Sequence, residues 1–246
     1  WSHRRGEPRV FALFWTMYVM AATLMMFAYA GGMGSFTIDT FRPAAKLSMA
    51  VVLVGVVVLW PMTRLSQLAP SAGGVAASLK DAVVIGFPAQ AVVWPQLLLS
   101  RWPISVVLAL SALFAVWTLL TAAIVAGGLG KPRATLHQDE LHPQSRIGIG
   151  SSRAIAMVLA LVLGVGTLIV VAIDPTPLGD VLRTRPTWLV NPITGMFEIT
   201  RDRSFAGPPA AVGRTHWLGI AALLGLTIAA WAVTLVISHG PRGGKA

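Results

Sequence analysis

Residues 80–130, KDAVVIGFPAQAVVWPQLLLSRWPISVVLALSALFAVWTLLTAAIVAGGLG, hold two long apolar runs that meet with almost no loop between them. The first run, 82–100, contains Pro88 and Pro95, whereas the second, 102–126, has only Pro103 at its start. A proline inside a helix removes one backbone hydrogen bond and bends the helix. The pattern therefore predicts a tight membrane hairpin with a bent first helix and a straight second helix.

The composition indicates that water is not the main solvent of this chain. Of its 246 residues, 55% are hydrophobic and 11% are charged, compared with about 25% charged residues in a soluble domain. The 19 Lys and Arg against 9 Asp and Glu give a formal charge of +10. The basic residues flank apolar runs and form no run interleaved with aromatics, which favours a membrane surface over nucleic acid as the partner.

The chain has no cysteine. Disulfides, iron–sulfur clusters, thiolate zinc sites and c-type haem attachment are therefore excluded.

The hydrophobic runs predict an all-α polytopic integral membrane protein with about six transmembrane helices. The first run also resembles a signal peptide, but its roughly 20 residues are enough to cross ~30 Å of hydrocarbon. If the third run re-entered instead of spanning, the count would be five. The predicted spans are 10–30, 47–62, 82–100, 102–126, 154–173 and 216–238.

The distribution of Lys and Arg predicts the orientation. With six spans, most of the basic short loops fall on one face, which the positive-inside rule assigns to the cytoplasm. Both termini are then cytoplasmic, the protein lies in the cell (inner) membrane, and 174–215 is an extracytoplasmic segment. Because this segment is rich in large apolar side chains, including Trp188, Phe197 and Phe205, we expect it to bind an extracytoplasmic partner protein.

Charged residues inside a membrane usually mark ion pathways or proton relays. All nine acidic residues, among them Asp39, Asp81 and Glu198, lie outside the apolar runs, in predicted flanks or loops. The sequence therefore predicts no proton relay built from this chain's own carboxylates.

Histidine positions limit cofactor binding. His216 and His239 bracket the last span about 35 Å apart at 1.5 Å per residue, so they cannot ligate the same haem. His216 could act as a single ligand of a pigment or haem near the outer interface, or simply anchor the helix beside Trp217. His137 and His142 are five residues apart, and a solvated loop is the preferred interpretation there. No cofactor is predicted from the chain's own ligands, although a bound lipid or pigment stays open, and no catalytic residue or metal site is predicted.

The first arm of the hairpin carries Gln90 and Gln96 next to Pro88 and Pro95. Amides and proline-freed carbonyls need polar partners inside a membrane, so we expect this arm to contact protein. The two amides either fasten helices together or line a passage for a substrate or quinone.

These observations support two hypotheses about function. The first is a non-catalytic integral membrane subunit that scaffolds a larger multi-subunit complex, such as an energy-transducing one, binding other membrane subunits through its helices and through 174–215. The alternative is a permease or transport subunit with a passage lined by the bent helix 3. A membrane enzyme ranks third, since His137, Asp139 and His142 could only complete a site on another subunit.

Overall fold

The computed structural model describes residues 8–32, 34, 37–67, 73–130, 151–164, 166, 186–202 and 210–239. These residues are helical or irregular and contain no strand. Five of the helices are long and apolar enough to cross a membrane, as expected of a multi-pass membrane protein. The helices are α1 (Pro8–Gly32), α2 (Ile38–Leu65), α3 (Gly74–Leu99), α4 (Ile104–Leu129), α5 (Ser151–Gly164), α6 (Pro192–Ile199) and α7 (Arg214–His239), with a 3-10 turn at Pro186–Val190 before α6.

Helix α2 begins nine residues before the predicted span 47–62. The Thr37 N–H donates to Thr40 Oγ1 at 3.1 Å at the start of the helix. Asp39, Arg42 and Lys46, which we expected in a polar loop, therefore lie in its first turns. The charged side chains are accommodated there because Arg42 and Lys46 both contact Asp202.

The middle of α2 departs from α-helical geometry. Gly55–Leu59 forms a π-turn directly before Trp60 and Pro61, and the Trp60 N–H bonds to the Gly55 carbonyl. A wider turn relieves the clash between a proline ring and the carbonyl four residues earlier. A Cβ on Gly55 would lie 2.4 Å from Tyr18 Cε1, so only glycine lets α1 pack this closely.

Helix α3 starts at Gly74, eight residues before the predicted span 82–100. Gly73 takes a positive φ of 84°, and the Gly74 N–H donates to the Gly130 carbonyl at 3.0 Å. The α-helical hydrogen bonding is interrupted at Trp94 and Pro95 and resumes for one turn. The start of α3 therefore lies beside the end of α4.

Helix α4 is the centre of the bundle. It packs against α3, α7, α6 and the second half of α2, and both its first half and its second half are lined with buried residues. Helix α7 lies along it: Trp231 Nε1 donates to the Leu119 carbonyl at 3.0 Å, and Thr234 Oγ1 lies 3.3 Å from the Ala123 carbonyl. The contact residues advance together along both helices, from Leu119 to Ala123 on α4 and from Trp231 to Thr234 on α7. The two helices therefore run in the same direction.

The contacts between helices define two ends of the bundle, which we call the turn end and the far end. The turn end holds the 100–103 connection, where Arg42 Nε donates to the Ser100 carbonyl at 3.2 Å. The far end holds the Gly74–Gly130 contact and the start of α5, where Arg153 Nη1 donates to the Gln67 carbonyl at 3.1 Å. Helix α5 covers part of the predicted span 154–173, whose residues 165 and 167–173 lie outside the described residues.

Candidate functional site

Acidic residues of the 186–202 segment bind the turn end of the bundle. Asp202 lies 3.5 Å from Arg42 and 3.7 Å from Lys46, both on α2. Glu198 lies 3.3 Å from Arg201 and 4.0 Å from His216 Nε2, at the start of α7. These contacts fix the end of α6 beside the first turns of α2 and α7, at the turn end of the bundle.

His216, the predicted single cofactor ligand, is fully buried within the chain. Its Nδ1 accepts a hydrogen bond from the Gly213 N–H at 3.2 Å, and its Nε2 faces Glu198. The ring also packs against Trp188, with 5.4 Å between ring centroids. Since protein groups face both nitrogens, a haem or pigment could bind His216 only if these contacts opened.

The three residues predicted to dock a partner have different environments. Trp188 is buried against Gly219 of α7, where a Cβ would come within 2.6 Å of the indole. Phe197 is 47% exposed on α6. Phe205 lies outside the described residues. The described stretch from Trp188 to Thr200 packs into the bundle. Which side of the membrane the 174–215 segment faces stays a prediction.

Helix α6 enters the bundle with its N-terminus leading. Gly195 packs on Leu113, with 3.3 Å from a Cβ position to Leu113 Cδ2. Leu113 is nine residues into α4, or ~14 Å along it. Because Glu198 and Asp202 lie at the turn end, Asn191 and Pro192 must lie deeper than Gly195.

Asn191 forms the tip of this inserted segment. Its Oδ1 accepts a hydrogen bond from the Ile193 N–H at 2.8 Å, which caps α6. Its Nδ2 donates a hydrogen bond to the Leu163 carbonyl of α5. Leu163 is twelve residues into α5, or ~18 Å from the far end. The tip is therefore near the middle of α4, which is ~39 Å long.

The π-turn of α2 and two buried polar side chains of α4 lie at about the same depth as Asn191. Gly164, next to Leu163, lies against Val58 in the π-turn of α2. On α4, Trp117 and Thr121 follow Leu113 by one and two turns on the same side. Both are buried, and Trp117 Nε1 and Thr121 Oγ1 have no hydrogen-bond partner among the described residues. Ordered water often satisfies buried polar atoms of this kind, and Ser48, Ser78 and Trp102 carry similar unpaired atoms elsewhere among the described residues.

The glutamines of the hairpin bind groups of the chain itself. Gln90 donates to the Ser111 carbonyl at 3.2 Å and accepts from Ser111 Oγ at 2.7 Å, so it joins α3 to α4. Gln96 donates to the Val92 carbonyl at 3.1 Å and accepts from Ser100 Oγ at 2.8 Å. Pro88 and Pro95 lie in the same helix, and Gln96 supplies a donor to a carbonyl in the turn that Pro95 interrupts.

A buried ion pair corrects the expectation that all acidic residues lie in flanks or loops. Asp81 is inside α3, and its Oδ2 lies 2.7 Å from Arg64 Nε of α2. Arg64 Nη1 also donates to Gln67 Oε1 at 2.8 Å. Both charged residues are at least nine-tenths buried. The expectation failed because an opposite charge on another helix allows α3 to include Asp81.

Asn191 was not among the predicted site residues, although a local signal for it exists in the sequence. Asn followed by Pro before an apolar stretch is typical of a helix N-terminus, since Asn caps the free N–H groups and proline needs none. Residues 191–199, NPITGMFEI, fit that pattern. No signal of similar strength in the sequence predicts that this short helix enters the bundle.

The described residues contain no group of three or more metal-ligating side chains. The chain matches no known protein family, and comparisons with curated proteins and with solved structures gave no match.

Proposed function

We propose that this chain is a transport (permease) subunit of the inner membrane, in which residues 186–202 form a re-entrant element. The observation that carries the proposal is the position of Asn191, at the N-terminus of a short helix that begins near the middle of the bundle and ends at the turn end. Irregular backbone at that depth is tolerated where protein buries it or where it lines a cavity. Transporters use such interrupted helices at their midplane sites.

The neighbourhood of the tip supports a passage there rather than along α3. Trp117 and Thr121 supply polar atoms without partners, and the π-turn of α2 lies at the same depth. π-turns are frequent at functional sites. The amide of Gln90 is engaged with Ser111 on both sides, so we assign it to fastening α3 to α4.

The proposal includes six crossings, with a proline-bent α3 in a hairpin with α4 and both termini in the cytoplasm. Helix α5 begins at the far end, where Arg153 meets Gln67, and residues 198–202 lie at the turn end. We infer that the chain crosses the bundle between these two points. This connection supports a fifth crossing before α7 makes the sixth.

Cysteine accessibility tests the passage without knowledge of the substrate. The chain contains no cysteine, so Asn191→Cys provides a single thiol at the tip. In a passage that opens to water, this thiol reacts with a small charged methanethiosulfonate added to membranes. Phe87→Cys, at an 81% exposed position on the surface of α3, is the lipid-facing control and should stay unreactive. A tip thiol as unreactive as the control, from both sides of the membrane, would contradict the proposal.

A second candidate is the non-catalytic subunit that scaffolds a larger, energy-transducing complex. The exposed Phe197 at the turn end favours it, because a large apolar side chain there could contact another subunit. Gentle purification from native membranes separates this candidate from the first. Phe197→Asp should release a co-purifying subunit if the scaffold role is correct, whereas recovery of a lone stable chain from the unmodified protein would exclude it.

A further inference from the structure

A groove between α4, α5 and α7 runs along the half of the bundle nearest the far end. Its volume is about 540 Å³, and its wall on α7 extends from Leu226 to Ile237. That stretch is ~17 Å long at 1.5 Å per residue. The groove therefore occupies the depth of a single membrane leaflet, since a hydrocarbon core is ~30 Å thick.

Aliphatic side chains and small residues line the groove. Ala123 and Gly127 form the floor on α4, Ala156 lies on α5, and Ala229 lies on α7. One of its two hydroxyl groups, Thr234 Oγ1, is engaged with the Ala230 carbonyl at 2.9 Å. The other belongs to Ser152, which also has a partner. The groove thus offers no free polar group and suits a hydrocarbon ligand.

Gly127 leaves part of the floor open. A Cβ at this position would meet only Thr234 Oγ1, at 4.0 Å. A Cβ on the next residue, Gly128, would lie 2.7 Å from Ala156 and from Leu65. Gly128 therefore serves close helix packing, whereas Gly127 faces space that the described side chains do not fill.

The shape of the groove favours an extended chain over a protein helix as the occupant. Its volume of about 540 Å³ is spread over a cleft ~17 Å long, which is narrow compared with a helix ~10 Å across. The surface that lines the groove is also much smaller than the ~800 Å² that each partner buries in a stable protein interface. A single extended hydrocarbon chain is thin enough to fit.

We propose that this groove binds one acyl chain of a phospholipid from the leaflet at the far end. The lipid fills the space between α4, α5 and α7. Binding of this lipid does not depend on the transport function proposed above.

Photo-crosslinking in vesicles tests the proposal. The protein is reconstituted in phosphatidylethanolamine and phosphatidylglycerol with a trace of phospholipid that carries a diazirine on one acyl chain. We expect labelled peptides from the facing walls of α4, α5 and α7. Gly127→Leu fills the floor and should lower this labelling about tenfold. Gly86→Leu, on α3, adds the same side chain where nothing lies within 4 Å and should leave it unchanged.

A second variant shows whether a loss of labelling comes from filling the groove or from misfolding of Gly127→Leu. Ala229→Leu narrows the groove from an exposed position on the other wall and should also lower the labelling. Equal labelling of the unmodified protein and both groove variants would overturn the proposal, as would labelling spread evenly over the exposed faces of α1 and α3. Disulfide-linked dimers of Gly127→Cys in membranes would show instead that a second copy occupies the groove, and would overturn it as well.

Discussion

At the scale of single residues, the ion pair of Arg64 and Asp81 has the clearest energetic consequence. Asp81→Ala leaves the Arg64 charge buried without its partner, which should lower the free energy of unfolding by about 3–5 kcal/mol. The loss would be measured as a lower thermal midpoint in detergent. Lys80→Gln removes a charge from the neighbouring exposed position and should change stability by less than about 0.5 kcal/mol.

The double variant Arg64→Met with Asp81→Leu tests the cause of that loss. Replacing both charges by apolar side chains of similar size removes the desolvation penalty, so most of the stability should return. If the double variant were as unstable as Asp81→Ala, the packing of the two helices rather than the unpaired charge would explain the result.

Arg101 stores strain in the turn between α3 and α4. It is a non-glycine residue with a φ of 49°, a conformation that costs an ordinary L-residue roughly 1–2 kcal/mol. Arg101→Gly should therefore raise the thermal midpoint, whereas Arg101→Val should lower it because a β-branched residue tolerates positive φ poorly. Equal midpoints for the two variants would show that the turn relaxes without cost.

At the scale of elements, the seating of Trp188 on α7 depends on a glycine. Gly219→Ala would bring a Cβ within 2.6 Å of the indole, so the 186–202 segment should move and the protein should lose about 1–3 kcal/mol of stability. The matched control is Gly225→Ala on the same helix, where nothing lies within 4 Å. That substitution should be neutral or stabilising, because alanine is the better helix former.

Proteolysis would report on the same element. We expect faster cleavage within 186–202 for Gly219→Ala than for Gly225→Ala in reconstituted vesicles, since a displaced segment exposes its backbone. Identical cleavage patterns would mean that the segment tolerates the larger residue in place.

The sequence predicted the helical membrane class well because long apolar runs are a direct consequence of the bilayer. It predicted helix starts less well: α2 and α3 begin within polar stretches that contain Asp39 and Asp81. Those starts depend on partners far along the chain, such as Asp202 for Arg42 and Lys46. Hydropathy reports the average environment of a window, and it carries no information about which distant charge will be a neighbour.

The candidate site illustrates the same limit. The cap at Asn191 is visible in the sequence, but its depth is set by Gly195 packing on Leu113 and by the contact with Leu163. The apolar side chains around it, including Trp188, are equally compatible with an external docking surface, which is where we expected Trp188 to lie.

At the scale of the whole molecule, the number of crossings can be measured with single cysteines. In sealed right-side-out vesicles, a membrane-impermeant maleimide should label Arg101→Cys and Asp202→Cys, at the turn end. It should leave Gln67→Cys and Ser151→Cys unlabelled until the vesicles are opened. Labelling of residues 151 and 202 from the same side would reduce the crossings to five and remove the fifth span.

The burial of Trp188 and His216 against each other also bears on how the protein is made. Helix α6 is eight residues long, or ~12 Å, and Glu198 and Arg201 flank its end, so it cannot enter a bilayer as an independent segment. Trp188 and Glu198 contact His216 and Gly219 of α7, so the site that receives α6 is incomplete until α7 has been synthesised and inserted. A nascent chain that has not yet reached Arg214 leaves residues 186–202 without these contacts and open to proteases, and the segment is protected only once α7 has inserted.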